Sequence, residues 1–299
     1  MADTGMNLSL YLNDTAKYVD TNLISFLPKD NSIISQAMRY SVMAGGKRLR
    51  PVFVIIGAEI FGLKKQNVIP AACALEYIHT YSLIHDDLPS MDDDDLRRGK
   101  PTNHKKFGEA AAILAGDALL TESFNLMANV RVPADRIVKA VKILSLYSGY
   151  KGMILGQAED TIESGKWNKK NKDLCRKKLE SIHINKTSAL IKASILTGAV
   201  LAGAKDSDLK LLEKYAHNIG LAFQIADDIL DVYADKKLLG KNGSDKDNGK
   251  LTYLSLYGKE KSEEKAKKLI KEAKKSISKF KTRKEILEKL ADYMIDRKY

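Results

Sequence analysis

Six aspartates fall within ten positions of this 299-residue chain, Asp86 to Asp95, in the stretch SLIHDDLPSMDDDD (82–95). So many like charges repel one another unless a cation sits among them. The residues before them read as a buried helix rather than an acidic tail. Ala71, Ala74, Leu75, Ile78, Tyr81 and Ile84 recur close to the 3.6-residue period over 71–88. On an unbroken helix Asp86 and Asp92 would stand roughly 120° apart and could not share a metal. Pro89 disfavours helix at Leu88, so the helix should end there, and the chain can fold back to bring Asp92 near Asp86 and Asp87. A solvated acidic loop fits the same residues.

A second cluster, FQIADDILD (223–231), favours metal chemistry. Asp227 and Asp231 are four apart, on one face of a helix made apolar by Leu221, Phe223, Ile225, Ile229 and Leu230. Two such carboxylate walls suit hard divalent cations. Mg²⁺ takes a few carboxylates and completes its shell with water and substrate phosphate.

The elements that must carry these groups are helical throughout. Periodic segments are expected over 8–27, from Asp30 or Asn31 through Tyr40, from Pro51 to Gly62, over 108–130, from Pro133 to Tyr150, over 173–202 and over 259–285. No clear alternating strand appears, so the fold class is all-α. Residues 102–107 and the turn-rich 240–250 read as loops. With six prolines and no Gly/Ser-rich or Pro-rich linker, residues 1–299 are expected to form one domain.

Several polar groups sit where an anion could be met. Gly45-Gly46 precede a helix start flanked by Lys47 and Arg50, which fits either a diphosphate site or a capped turn with surface cations. Asp117, in an apolar helix, would need a partner such as a lysine. GQAED (156–160) puts polar groups in an otherwise apolar helix. Lys186-Thr187 can mark a kink facing a ligand or a surface turn, and Lys241, Lys246 and Lys250 can reach a diphosphate or stay solvated. There is no GxxxxGK[ST], which argues against nucleoside triphosphate chemistry.

The formal net charge is +12, and residues 259–285 carry twelve Lys/Arg against five Glu. That segment reads as an amphipathic helix with Ala266, Leu269, Ile270, Ala273, Ile277 and Phe280 inward and a solvated lysine face outward; nucleic-acid or membrane-surface binding is the lesser reading. No aromatics interleave the basic residues, so no nucleic-acid partner is expected. Cys73 and Cys175 have no motif spacing. The chain shows no signal peptide and no spanning stretch, so a cytoplasmic enzyme is expected.

Taken together, GGKRLRP (45–51), LIHDDLPSMDDDDLRRGKPTNH (83–104), LAGDALL (114–120), GQAED, Lys186-Thr187 and FQIADDILD resemble the short-chain trans-isoprenyl diphosphate synthases, nearest the bacterial farnesyl diphosphate synthases. The resemblance covers nearly the whole chain in order. It implies the isoprenoid synthase fold, a single-domain helical bundle around a deep central cavity, usually homodimeric. It implies three Mg²⁺ (Mn²⁺ being possible), held by Asp86 and Asp92 on one side and Asp227 and Asp231 on the other, with Asp87 and Asp228 in the same catalytic motifs. Arg97, Lys186, Thr187, Gln224, Lys241 and Lys250 would meet the allylic diphosphate. Lys47, Arg50, His79 and Arg98 would hold isopentenyl diphosphate. On its own His79 fits a satisfied core histidine; the resemblance assigns it to the substrate.

The reaction so implied is a head-to-tail condensation. The allylic C–O bond ionises, the isopentenyl double bond attacks the cation, and a proton is lost to the departing diphosphate. Product length would be set where a bulky side chain closes the cavity. Tyr81 lies five residues before Asp86, roughly 7.5 Å along the helix, and Ser82 lies nearly beneath Asp86. In the family, an aromatic at the Tyr81 position with the longer first motif goes with a C15 product. A C20 (geranylgeranyl) product is the alternative. A class I terpene synthase and a non-catalytic synthase subunit are more distant ones. The terminal Asp296-Arg297-Lys298-Tyr299 could close over the site.

Overall fold

The structure, a computed structural model, describes residues 7–162, 171–233 and 251–296. The described chain is all-α: α1 (Leu8–Phe26), α2 (Ile33–Val42), α3 (Leu49–Glu59), α4 (Lys65–Asp86), α5 (Asn103–Phe107), α6 (Glu109–Ala128), α7 (Ala134–Ser148), α8 (Met153–Ile162), α9 (Lys172–Ile182), a π-helical segment (His183–Ser188), α10 (Ala189–Leu201), α11 (Asp206–Tyr233), α12 (Tyr253–Tyr257), α13 (Lys259–Ser276) and α14 (Lys284–Tyr293). A two-residue antiparallel ribbon, β1 (Leu96–Arg97) with β2 (Lys100–Pro101), is the one departure among the described residues.

The chain forms two compact units, Met1–Lys142 with Ser194–Ala204, and Ile143–Ala193 with Lys205–Tyr299. In the first, α4 is the core helix. It is apolar around its whole circumference, and Val68, Ala71, Leu75, Tyr77, Ile78, Tyr81 and Ile84 are all buried, against α1, α2, α3 and α6. Each fully buried Ile or Leu there contributes roughly 1.5–3 kcal/mol. Within the same unit α3 meets α10 backbone to backbone. A Cβ at Gly57 would lie closer than 3.0 Å to the Ile195 carbonyl oxygen, and one at Gly198 would crowd the Val54 carbonyl oxygen in the same way. In the second unit α11 packs on α13, on α12 and on the π-helical segment, which α8 and α9 also touch.

Several local expectations are corrected. Helix α2 is capped by Ser32, whose hydroxyl accepts the Ser35 N–H at 3.3 Å, while Asp30 holds Ser32 and Ser35 from outside. Helix α3 starts at Leu49, so Pro51 stands inside its first turn, and α4 begins at Lys65 with Pro70 within it. Residues 103–107 are helical rather than loop, because Asn103 is buried and its amide donates to the Ala37 carbonyl and the Ser41 hydroxyl. Asp117 is exposed and pairs with no lysine among the described residues; its carboxylate stands 4.0 Å from His85 Nε2. The lysine-rich helix ends at Ser276, although Ile277 and Phe280 remain buried as expected.

Candidate active site

Helix α4 ends at Asp86, and the chain turns back at once. The Asp92 N–H donates to the Asp86 carbonyl at 2.9 Å, while the Met91 and Asp93 amides donate to Leu88. Asp93 takes a left-handed conformation (φ 52) to complete the turn. Asp92 is thereby held against Asp86 despite the six-residue spacing. Asp86 is partly exposed and Asp92 exposed. Asp87 is different: it is buried, and its Oδ1 accepts from both Nε and Nη2 of Arg97. Arg97 also donates to Asp94 at 3.1 Å.

The second motif has the same division of labour. On α11, Asp227 and Asp231 are partly exposed, four residues apart. Asp228 is buried and accepts the Tyr253 N–H at 2.7 Å, with His183 Nε2 at 3.8 Å. The His183 ring stacks on Tyr253 at 5.5 Å. Burial pushes the His183 imidazole down to about 4, Asp160 and Lys186 acting in opposite senses on it. In both motifs the first aspartate is partly exposed and the second, buried, grips a neighbouring element.

Lys186 and Thr187 lie in the π-helical segment, whose wider turn departs from the α-ladder, a feature frequent at functional sites. Gly156 on α8 makes room for it, since a Cβ there would stand closer than 3.0 Å to the Lys186 amide nitrogen. Lys186 Nζ meets Asp160 Oδ2 at 2.6 Å. Gly156 and Asp160 belong to the GQAED stretch, whose structural meaning was not legible from the sequence. Gln224 is partly exposed on α11, one residue before Ile225.

In the first unit, Lys47 is exposed and Arg50 partly exposed at the start of α3. The Arg98 guanidinium donates to the Gly45 carbonyl, which brings it to the same turn. His79 is held well below its usual range, first by burial and then by Arg50, Arg98, Arg97 and Arg48. The positive charges that keep this imidazole neutral would favour an anion near it.

Arg48 was passed over in the sequence. It is buried in a left-handed conformation (φ 49) and donates to Asp20, Glu76 and the Val42 carbonyl, each at 2.7 Å. It anchors the Gly45–Arg50 turn from behind, leaving Lys47 and Arg50 to either side. Tyr81 is buried, its hydroxyl has no hydrogen-bond partner among the described residues, and its ring stands edge-on to His85 at 5.7 Å. Burial, with the Asp86 charge behind it, pushes the phenol up to about 12. Ser82 donates to the His79 carbonyl at 3.0 Å. Lys241 and Lys250 lie outside the described residues.

The donor set fits a hard divalent cation. Asp86 and Asp92 in the first unit, and Asp227 and Asp231 in the second, offer carboxylate oxygens, with no cysteine in either motif. Among the described residues no three His, Cys, Asp or Glu side chains close a metal cage by themselves. Mg²⁺ suits carboxylates of this kind in either motif, because it keeps several waters and takes substrate phosphate into its shell.

The polyprenyl synthetase family profile matches residues 31–294. The chain is 44% identical to a geranylgeranyl diphosphate synthase of Cyanophora paradoxa, over 98% of each protein. It is 43% identical to a farnesyl diphosphate synthase of Bacillus subtilis, covering 97% of this chain and 98% of the other. Its fold superposes on the crystal structure of an FPP/GFPP synthase from Zymomonas mobilis with a TM-score of 0.83, at 33% identity, over 97% of this chain and 99% of that one.

Proposed function

The chain belongs to the polyprenyl synthetase family and is a short-chain prenyltransferase of the all-α isoprenoid synthase fold, and we propose that its product is farnesyl diphosphate. The observation that carries the C15 reading is the buried Tyr81 ring on α4, braced edge-on by His85 and five residues before Asp86. The geranylgeranyl reading is kept because a relative of that name matches equally well.

The roles follow from chemistry. Asp86, Asp92, Asp227 and Asp231 would hold Mg²⁺, which would draw off negative charge from the departing diphosphate. Arg97, Lys186, Thr187, Gln224, Lys241 and Lys250 would face the allylic diphosphate, and their charges favour heterolysis of its C–O bond, the electron pair leaving with the diphosphate. Lys47, Arg50, His79 and Arg98 would orient isopentenyl diphosphate so that its double bond attacks the allylic carbon. A proton then passes to the released diphosphate. Apolar walls would keep water from the cation. Asp87 and Asp228 act through Arg97 and Tyr253, which their carboxylates hold.

We propose that the whole chain works as one catalytic domain in a cytoplasmic homodimer. The outer side of α6 carries exposed Ile113 and Leu114, an apolar surface of the kind a second copy covers. Cys73 and Cys175 are buried thiols with no disulfide between them, which suits a reducing compartment. No helix among the described residues is long and apolar enough to cross a membrane.

The test is a product assay with Mg²⁺, labelled isopentenyl diphosphate and dimethylallyl or geranyl diphosphate, followed by separation of the dephosphorylated alcohols. Farnesol as the main product supports the reading, and chelation should abolish turnover. Geranylgeraniol selects the alternative. Cyclic hydrocarbons without elongation would overturn the transferase roles. Light scattering at the dimer mass checks the assembly.

A further inference from the structure

The strongest surface feature outside the site is the outer face of α13. Its inner face is fixed: Ala266, Leu269, Ile270, Ala273 and Ser276 are buried, and the helix packs on α11, which carries Asp227 and Asp231. The outer face is therefore presented by a firmly seated helix rather than by a loose tail.

Beyond Lys259 at its start, six lysines stand exposed on this helix: Lys261, Lys265, Lys267, Lys268, Lys271 and Lys275. None makes an ion pair or hydrogen bond with a described residue, whereas Lys259, Lys274 and Lys279 nearby each have an acidic partner. Lys261, Lys268, Lys271 and Lys275, at intervals of seven, three and four, form one row about 21 Å long on the side opposite the buried residues. Glu264 is the one exposed acid within the row's span. Like charges so aligned repel one another.

We propose that this row is a docking surface for an anionic lipid bilayer. The chemistry of the face selects that partner. It holds point-charge ammonium groups only, with no arginine fork to pair with phosphates bidentately or read a base edge, and no aromatic ring to stack on one. It has no exposed apolar side chain to insert, so attachment is peripheral, reversible and salt-sensitive. Each lysine near an anionic leaflet raises partitioning about fivefold. The use of such contact rests on the prenyltransferase reading above: a prenyl diphosphate is an amphiphile whose tail partitions into a bilayer, so contact would release product where a lipid-phase reaction consumes it. The contact itself does not depend on that reading.

The experiment is co-sedimentation of the full chain with vesicles of phosphatidylcholine alone and of equimolar phosphatidylglycerol and phosphatidylcholine, at low and high salt. The expected result is retention by the anionic vesicles only, lost at high salt. Lys268→Glu/Lys271→Glu/Lys275→Glu should weaken it by more than about a hundredfold while solution prenyltransferase activity is unchanged. The charge-matched control Lys29→Glu/Lys139→Glu/Lys142→Glu, exposed lysines elsewhere, should retain binding. Equal loss in both triples, or no binding to anionic vesicles, overturns the proposal. So does tighter retention by duplex DNA or single-stranded RNA than by the vesicles at matched salt. An inactive enzyme that still binds would sink the function, not the surface.

Discussion

Gly156 on α8 lies directly against the Lys186 backbone, with no room for a Cβ between them. The π-helical turn that carries Lys186 and Thr187 exists in this position because α8 can come that close. Gly156→Ala should overpack the contact at about 1–3 kcal/mol. It should also displace Lys186 enough to lower kcat/KM by about tenfold or more. Urea unfolding and steady-state kinetics on the same preparation separate the two effects. An active, fully stable variant would mean that the turn yields easily.

Arg48 joins Asp20 and Glu76 behind the substrate-facing turn, with side-chain exposure of 1% for Arg48 and 3% for Glu76. Arg48→Met leaves Glu76 charged and unpaired in the core, which should cost about 3–5 kcal/mol. Arg48→Met/Glu76→Leu removes both charges and should recover most of the loss in a denaturant titration. Failure to recover would place the cost in the left-handed backbone of residue 48 instead.

His183 is buried with its imidazole near 4 in the folded chain, below its unfolded value of about 6.5. The unfolded chain therefore takes up a proton between those values and the folded chain does not. Stability should be fully present above about pH 6.5 and fall by roughly 3 kcal/mol as pH drops toward 4. His183→Gln should flatten this part of the curve in urea midpoints measured from pH 7 to pH 4.5. An unchanged curve assigns the acid sensitivity elsewhere.

The Tyr81 hydroxyl is buried without a described partner, so its ring rather than its oxygen should matter. Tyr81→Phe should keep the product length and stabilise the fold by up to about 1 kcal/mol. Tyr81→Ala should lengthen the products. Chromatography of the alcohols reads both, and unchanged length in Tyr81→Ala would remove Tyr81 as the cavity floor.

Most of the helical order was legible because the apolar spacing of α11 and α13 follows the 3.6-residue period and α4 is a long apolar run without strand alternation. The turn-back after Pro89 was legible as well, since proline chemistry acts locally. What was not legible depends on distant partners. Asn103 makes its segment helical through α2, more than sixty residues earlier. Arg48 is defined by two acids, each 28 residues away. Within the aspartate pairs, identical neighbours take opposite roles. Only burial separates Asp86 from Asp87 and Asp227 from Asp228, and burial is a property of packing.

The crossing of α3 and α10 at Gly57 and Gly198 has a consequence for anyone randomising this chain. Each glycine faces a carbonyl of the opposite helix, so no smaller neighbour can be chosen to compensate a larger side chain. A saturation library should return glycine alone at both positions, while the apolar sites around them tolerate exchange of similar volume. That joint is a fixed point against which altered chain-length variants can be built.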